Sequence, residues 1–307
     1  MNPALLYRRL GSVFERVPVA VQGAVYMTLA TLLFSAMNLI IRLASEHVHP
    51  LEIPFFRNLF ALLFMLPWAY RSGVSVLRTR QLKMHGMRAL VGVASMFAWF
   101  SAVSLLPLAE AVALSFTAPL FVTIGAALLL GEVVRARRWT ATLIGFLGTL
   151  VVLRPGIAEV TWLTLLPIGA ALLMAGSMLC VKVLARTEPP AVIVFYMGLL
   201  MTPLSLIPAL AVWRWPSPTA WGLFVLLGLI AAVSHIFFTR AFAKCDASAV
   251  QPFDYMRLPF VALLGFLFFG EVPSGWIWLG GAMIAGSAIY IARREAQSSA
   301  SSRATSE

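Results

Sequence analysis

Apolar residues run through this chain in stretches too long for a barrel strand, and they recur from one end to the other. A membrane helix needs roughly 17–25 mostly apolar residues. Runs of about that kind occupy 19–43, 51–70, 87–106, 108–130, 139–154, 162–184, 190–212, 218–240, 247–269 and 275–292. They lack period-two alternation, so helices and not strands must satisfy the backbone in lipid. The fold class read from them is all-α integral membrane, with ten transmembrane helices. The short connectors predict that sequential helices pack as antiparallel neighbours. Composition agrees: 61% of residues are hydrophobic and 11% are charged, against roughly 25% charged in a soluble domain.

The net charge of +11 is a topology signal here. The basic residues sit in short segments between apolar runs, without a basic helix interleaved with aromatics, so nucleic acid is excluded as a partner. If the N-terminus is inside, the outer segments hold only Arg154 and Arg214. Arg42, Arg57 and Arg257 lie within spans, and all other lysines and arginines of the 23 fall inside. By the positive-inside rule both termini are cytoplasmic in a multi-pass inner-membrane protein, with membrane lipids as partners. Arg8, Arg9 and Arg16 before the first run resemble a signal peptide. The run 19–43 exceeds the roughly 7–15 apolar residues of such a signal, and it is read as the first span.

The chain also repeats itself. Ala109-Glu110-Ala111-Val112 opens the fourth run, which closes on Gly131-Glu132. Ala247-Ser248-Ala249-Val250 opens the ninth, which closes on Gly270-Glu271. Pro50 with Phe56 matches Pro189 with Phe195, and Arg42 matches Lys182. After each Gly-Glu come a tryptophan and a glycine-spaced helix: Trp139, Gly145 and Gly148, then Trp276, Gly281 and Gly286. The domains read from this are a segment 1–18, a first five-helix repeat 19–157, a second repeat 158–292, and a Ser/Ala-rich disordered tail 293–307. Five is odd, so the second repeat enters the membrane inverted. Two inverted five-helix repeats are an architecture of secondary transporters, which rock about a central site.

The run Phe100-Ser101-Ala102-Val103-Ser104-Leu105-Leu106-Pro107-Leu108-Ala109-Glu110-Ala111-Val112-Ala113-Leu114, followed by Ala118-Pro119-Leu120-Phe121 and Gly131-Glu132, resembles the EamA-type repeat of the drug/metabolite transporter superfamily. The resemblance spans roughly residues 20–292 in both copies. It implies a ten-span bundle around a central cavity, with alternating access and no ATP. Gln251-Pro252-Phe253-Asp254-Tyr255-Met256-Arg257-Leu258-Pro259-Phe260, with Phe55-Phe56-Arg57-Asn58, resembles a bacterial subgroup that includes S-adenosylmethionine uptake and riboflavin transporters. The wider family also exports amino-acid derivatives, metallophores and drugs. It carries no universal catalytic residue onto this chain, and it leaves substrate, direction and a homodimer open.

Ionisable residues inside spans cost several kcal/mol unless paired or hydrated, which makes them site candidates. Asp254 and Arg257 stand three apart, on one helical face. Arg257 lies about 15 Å into its span at the helical rise, near the midplane. The pair reads either as a structural ion pair or as the polar core of a solute site. Arg57 anchors a neighbouring helix or lines the site. Asn38, one turn before Arg42, is helix-helix glue or a solute partner. Trp99 and Tyr255 are placed to stack on a planar solute, although membrane aromatics usually pack or anchor. His235 reads as a proton-coupling group or as a histidine bonded to a neighbouring helix. Glu132 and Glu271 are read as helix-terminating or gating elements. Pro119 and Pro259 are expected to bend the fourth and ninth helices.

No phosphate-binding loop, H-E-x-x-H or G-x-S-x-G motif is present, so no catalytic residue and no cofactor are expected. His47 and His49 beside Glu46 form an H-x-H pair, read as a solvated loop rather than a metal site. Cys180 and Cys245 have neither metal-ligand nor redox spacing. The chain reads as a secondary carrier of a small polar solute, with an intramembrane enzyme and a non-transporting scaffold as rivals.

Overall fold

The computed structural model describes residues 17–73, 78–105, 114–153, 163, 165–270 and 275–304. Among them all regular structure is helical: α1 (Val19–Ser45), α2 (Ile53–Ser72), α3 (Leu82–Leu105), α4 (Ala118–Leu130), α5 (Ala136–Leu153), α6 (Leu165–Leu184), α7 (Pro190–Ala211), α8 (Pro218–Lys244), α9 (Ala247–Val250), α10 (Arg257–Phe269) and α11 (Gly275–Ala304). A 3-10 turn, Gln251–Met256, joins α9 to α10. By length and apolarity α1, α2, α6, α7 and α8 can each cross a membrane. The segment after 292, expected to be a disordered tail, continues as helix to Ala304. The repeat landmarks at 109–112 and Glu271 lie outside the described residues.

The ninth run is not one helix, contrary to the sequence expectation. It breaks at the 3-10 turn, where Pro252 stands in the first positions. The fourth run breaks at the matching place: Phe116 and Thr117 form a turn before α4 begins at Ala118. Pro119 and Pro259 do not bend helices. They sit in the first turns of α4 and α10, where a missing N–H leaves no intrahelical bond unmade. Both second segments then run for 13 residues. Both end on a left-handed glycine, Gly131 at φ 67° and Gly270 at φ 66°.

The expectation that sequential helices pack together fails. α1 with α2, α4 with α5 and α10 with α11 touch only slightly, whereas α1 lies along α8, α3 along α6 and α5 along α11. Each of those pairs joins one repeat to the other. Without a hydrophobic force between helices in lipid, close approach at small residues decides such contacts. A Cβ on Gly228 would collide with Phe60 and Ala61 of α2, and one on Gly148 with Gly280 and Ile284 of α11. The two repeats therefore interlock, and neither encloses a core of its own.

One end of the bundle is tied by polar contacts. The left-handed turn at Gly131 is followed by Glu132, whose carboxylate accepts from the backbone N–H groups of Ala247 at 2.9 Å and Ser248 at 3.1 Å, and from the Ser248 hydroxyl at 2.8 Å. It thus caps α9, satisfying donors that a helix start leaves open. The end of the fourth unit lies beside the start of the ninth, its repeat equivalent, so the two run in opposite directions. Arg138 adds bonds to Asp246 at 3.0 Å and to Ser248 at 2.9 Å. Lys182, expected in a connecting segment, is buried. It donates to the carbonyls of Phe242 and Cys245, the exposed acceptors at the end of α8.

Candidate functional site

The break in the ninth unit creates the most polar point of the interior. In a 3-10 turn residues three apart eclipse, and Arg257 donates to Asp254 across 2.6 Å. Asp254 is buried and Arg257 partly so. The turn is pinned to α1, because the Ser35 hydroxyl donates to the Arg257 carbonyl at 3.1 Å. The Arg257 guanidinium also lies over the Phe34 ring, 5.4 Å from its centroid, a cation-π contact.

From Phe34 the polar chain continues into the first repeat. His235 of α8 meets the Phe34 ring edge-on, with centroids 5.1 Å apart. Its Nδ1 lies 2.9 Å from the Ala231 carbonyl, which can only accept. The proton of the neutral ring is therefore on Nδ1, and Nε2 is left as an acceptor. Arg57 of α2 reaches that Nε2 at 3.4 Å, while its other donors go to Asn58 Oδ1 at 3.1 Å and Met37 Sδ at 3.4 Å. Asn58 in turn donates to the Ser205 hydroxyl of α7 at 3.2 Å. The structure thus brings Arg57, His235, Asp254 and Arg257 into one network drawn from α2, α8 and the broken ninth unit. Phe34, Met37 and Ser35 of α1 bridge them.

Asn38 stands one turn beyond Phe34 on the same helical face. Phe34 is buried, yet Asn38 is exposed. The lipid-facing residues of α1, Val25, Leu29 and Leu32, lie on the opposite side of the helix. At the other end of α1, Cys245 contacts the Val19 carbonyl beside the Glu132 cap.

Tyr255 and Trp99 do not join the network. Tyr255 is fully buried, stacked on Phe116 with centroids 6.1 Å apart and set against Gly145. Its two ring faces are occupied in this conformation. Phe116 and Tyr255 are repeat equivalents, so the two breaks stack on one another near the repeat axis. Trp99 is half-buried on α3 and makes no ring contact among the described residues. His49 Nδ1 accepts from the Leu51 N–H at 3.3 Å, closing a local turn. No cluster of metal-ligand residues forms among the described residues, and Cys180 and Cys245 form no disulfide.

Two buried cations escaped the sequence reading. Arg88, counted there among the connecting segments, is only 4% exposed. It donates to the Ile193 carbonyl at 3.2 Å and the Met197 sulfur at 3.3 Å. Lys182 is the other. Each lies within two turns of a helix end, where hydropathy cannot tell a snorkelling cation from one turned inward.

The geometry is that of a polar network where two interlocked repeats meet. The model of the EamA-like transporter family matches twice, at residues 21–154 and 161–293. A riboflavin transporter of Rhizobium johnstonii is 38% identical over 279 residues, covering 90% of this chain and 92% of that protein. An S-adenosylmethionine uptake transporter of Rickettsia felis is 27% identical, with 88% and 92% covered. One crystal structure superposes with a TM-score of 0.77 at 24% identity, covering 89% of this chain and 98% of that one, which establishes the fold alone. With both repeats matched, this chain is a multi-pass membrane protein that belongs to the EamA-like transporter family.

Proposed function

We propose that the chain is a ten-span inner-membrane secondary carrier with both termini cytoplasmic, built from inverted repeats at 19–157 and 158–292. It moves a flavin or a similar planar polar solute by alternating access. The observation that carries this reading is the network Asn58–Arg57–His235–Phe34–Arg257–Asp254. It crosses from one repeat to the other. Inverted-repeat carriers place their solute sites at broken helices near the midplane. Aromatic Phe34, under the Arg257 guanidinium and edge-on to His235, suits a flat ring system, and Asp254, Arg257, Arg57, His235 and Asn38 are the proposed solute-facing groups. The end of α1 that carries Arg42 is then periplasmic, and the end where Glu132 caps α9 is cytoplasmic.

The substrate class rests on the riboflavin transporter of Rhizobium johnstonii, 38% identical. Purified protein in liposomes should accumulate labelled riboflavin unchanged in mass and without ATP. A product of altered mass would favour an intramembrane enzyme. Absence of flux for riboflavin and for S-adenosylmethionine, with no ligand-induced rise in melting temperature, would favour a scaffold. For topology, a C-terminal reporter fusion active only in the periplasm would refute the ten-span, both-ends-inside arrangement.

A further inference from the structure

We propose that Gln251 is a specificity-determining residue of the carrier, and that it takes a planar heterocycle whose ring carbonyl stands beside a ring N–H, as in a cyclic imide. That the solute is a flavin or similar rests on the carrier reading above; the edge it presents rests on the turn itself.

Residues three apart eclipse in a 3-10 turn, so Gln251–Met256 and its flanking residues present three columns of side chains. Val250, Phe253 and Met256 form one, and they pack into the apolar cluster that holds Met27, Phe34 and Phe238. Pro252, Tyr255 and Leu258 form another, in which Tyr255 and Leu258 pack with Phe116 and Ile284. Gln251, Asp254 and Arg257 form the third, and all three are polar. This is the column of the Asp254–Arg257 pair, and it is tied to α1 through Ser35 and Phe34. Gln251 thus extends the polar network by one further residue along the same face of the turn.

Burial deepens along that column. The Arg257 side chain is 20% exposed and that of Asp254 4%, whereas Gln251 is fully buried. Neither the nitrogen nor the oxygen of the Gln251 amide has a hydrogen-bond partner among the described residues, and Arg257 Nε has none either. Burying a carboxamide without partners forfeits its bonds to water. Methionine or leucine would fill the position without that loss. The break itself does not demand the group: from Val112 to Ala118 the fourth unit has no carboxamide and no charged side chain, yet it breaks as well. A partner from outside the fold accounts for the amide. A carboxamide offers a donor and an acceptor side by side. Its complement is an acceptor and a donor in one plane, which a flavin presents as carbonyl and ring N–H on its pyrimidine edge. An amine or an ether oxygen would satisfy only half of it.

Binding of riboflavin and of 3-methylriboflavin, in which a methyl group replaces that ring hydrogen, separates this from the flavin reading. The purified wild-type carrier should bind riboflavin at least about tenfold more tightly than the methyl derivative, the scale of a hydrogen bond lost at a buried group. Gln251→Met, similar in length and without the amide, should weaken riboflavin by about that factor and abolish the discrimination. Its melting temperature without solute should equal or exceed that of the wild type, because an unpartnered amide has been removed. Equal binding of the two flavins by the wild type overturns the inference and leaves the flavin reading standing. Discrimination that persists in Gln251→Met does the same. Failure of both Gln251→Met and Gln251→Leu to fold would show that the protein itself holds the amide, which also overturns it. Failure of the wild type to bind riboflavin overturns the flavin reading and this inference with it.

Discussion

The fourth and ninth units are repeat equivalents that share their architecture and differ in their chemistry. Each breaks before a segment of 13 residues, and each closes on a left-handed glycine, Gly131 or Gly270. At the breaks the sequences diverge. Ser115, Phe116, Thr117 and Ala118 stand where the ninth unit has Asp254, Tyr255, Met256 and Arg257. The aromatic is kept, and Phe116 and Tyr255 stack on one another. The charges are not. A break in this fold therefore forms without an ion pair, and the Asp254–Arg257 pair is an addition to it. An ionic pair in lipid that packing does not require points to solute, because its desolvation cost must be offset by another interaction.

Removing the added chemistry should give the largest effect. Arg257→Gln and Asp254→Asn should each lower flux at least about tenfold, as loss of a charge-assisted solute contact does. Folded yield and melting behaviour should stay near wild type, and the double variant should remain inactive. Flux into liposomes beside thermal melting in detergent would decide it. If the pair is architectural, either single change should destabilise the protein and the double should recover much of the loss. That outcome would reverse the lesson of the comparison.

A smaller effect is expected at the seal, where the two units meet directly. Glu132, just beyond the end of the fourth unit, caps the start of the ninth. Glu132→Gln weakens a helix cap, worth about 1 kcal/mol, which is enough to shift a two-state equilibrium about fivefold. Cys245 is a native reporter, since its thiol lies at that seal against Val19. Its labelling by a membrane-impermeant maleimide should quicken severalfold in Glu132→Gln, with buried Cys180 unchanged. Unaltered Cys245 labelling would leave the cap as local stabilisation without a gating role.

Much of this was legible in the sequence. Apolar run lengths pointed to α1, α2, α6, α7 and α8, the helices long and apolar enough to cross a membrane, because backbone satisfaction in lipid forces helices of bilayer length. The Gly-Glu landmarks exposed the repeat, since a left-handed cap is a backbone demand that glycine meets. Asp254, Arg257, Arg57 and His235 stood out because charge and imidazole are costly in lipid. The break at 251–256 did not, because Pro252 and Phe253 keep the run apolar and hydropathy is blind to backbone geometry. Partner choice was hidden too. These helices are apolar over most of their surface, so partner choice rests on close fits such as Gly228 of α8 against Phe60 of α2. Arg88 was misread because nearness to a helix end resembles exposure.

The smallest expected effect tests the shared part of the comparison. Gly131 and Gly270 adopt nearly the same conformation, and a Cβ at either would meet nothing within 4 Å. Alanine there carries no packing penalty, so its cost is the left-handed backbone alone, about 1 kcal/mol. Gly131→Ala and Gly270→Ala should therefore lower the melting temperature by the same few degrees. Their consequences at the seal should differ. The Gly131 turn directly precedes Glu132, so Gly131→Ala displaces the carboxylate that caps α9 and should also quicken Cys245 labelling. Gly270→Ala leaves that cap in place and should not. Equal losses of stability with unequal labelling would mean that the repeats share a backbone device and use it at opposite ends. Unequal losses would show that one of the two turns is held by contacts that the other lacks, and the equivalence of the units would then stop at their outline.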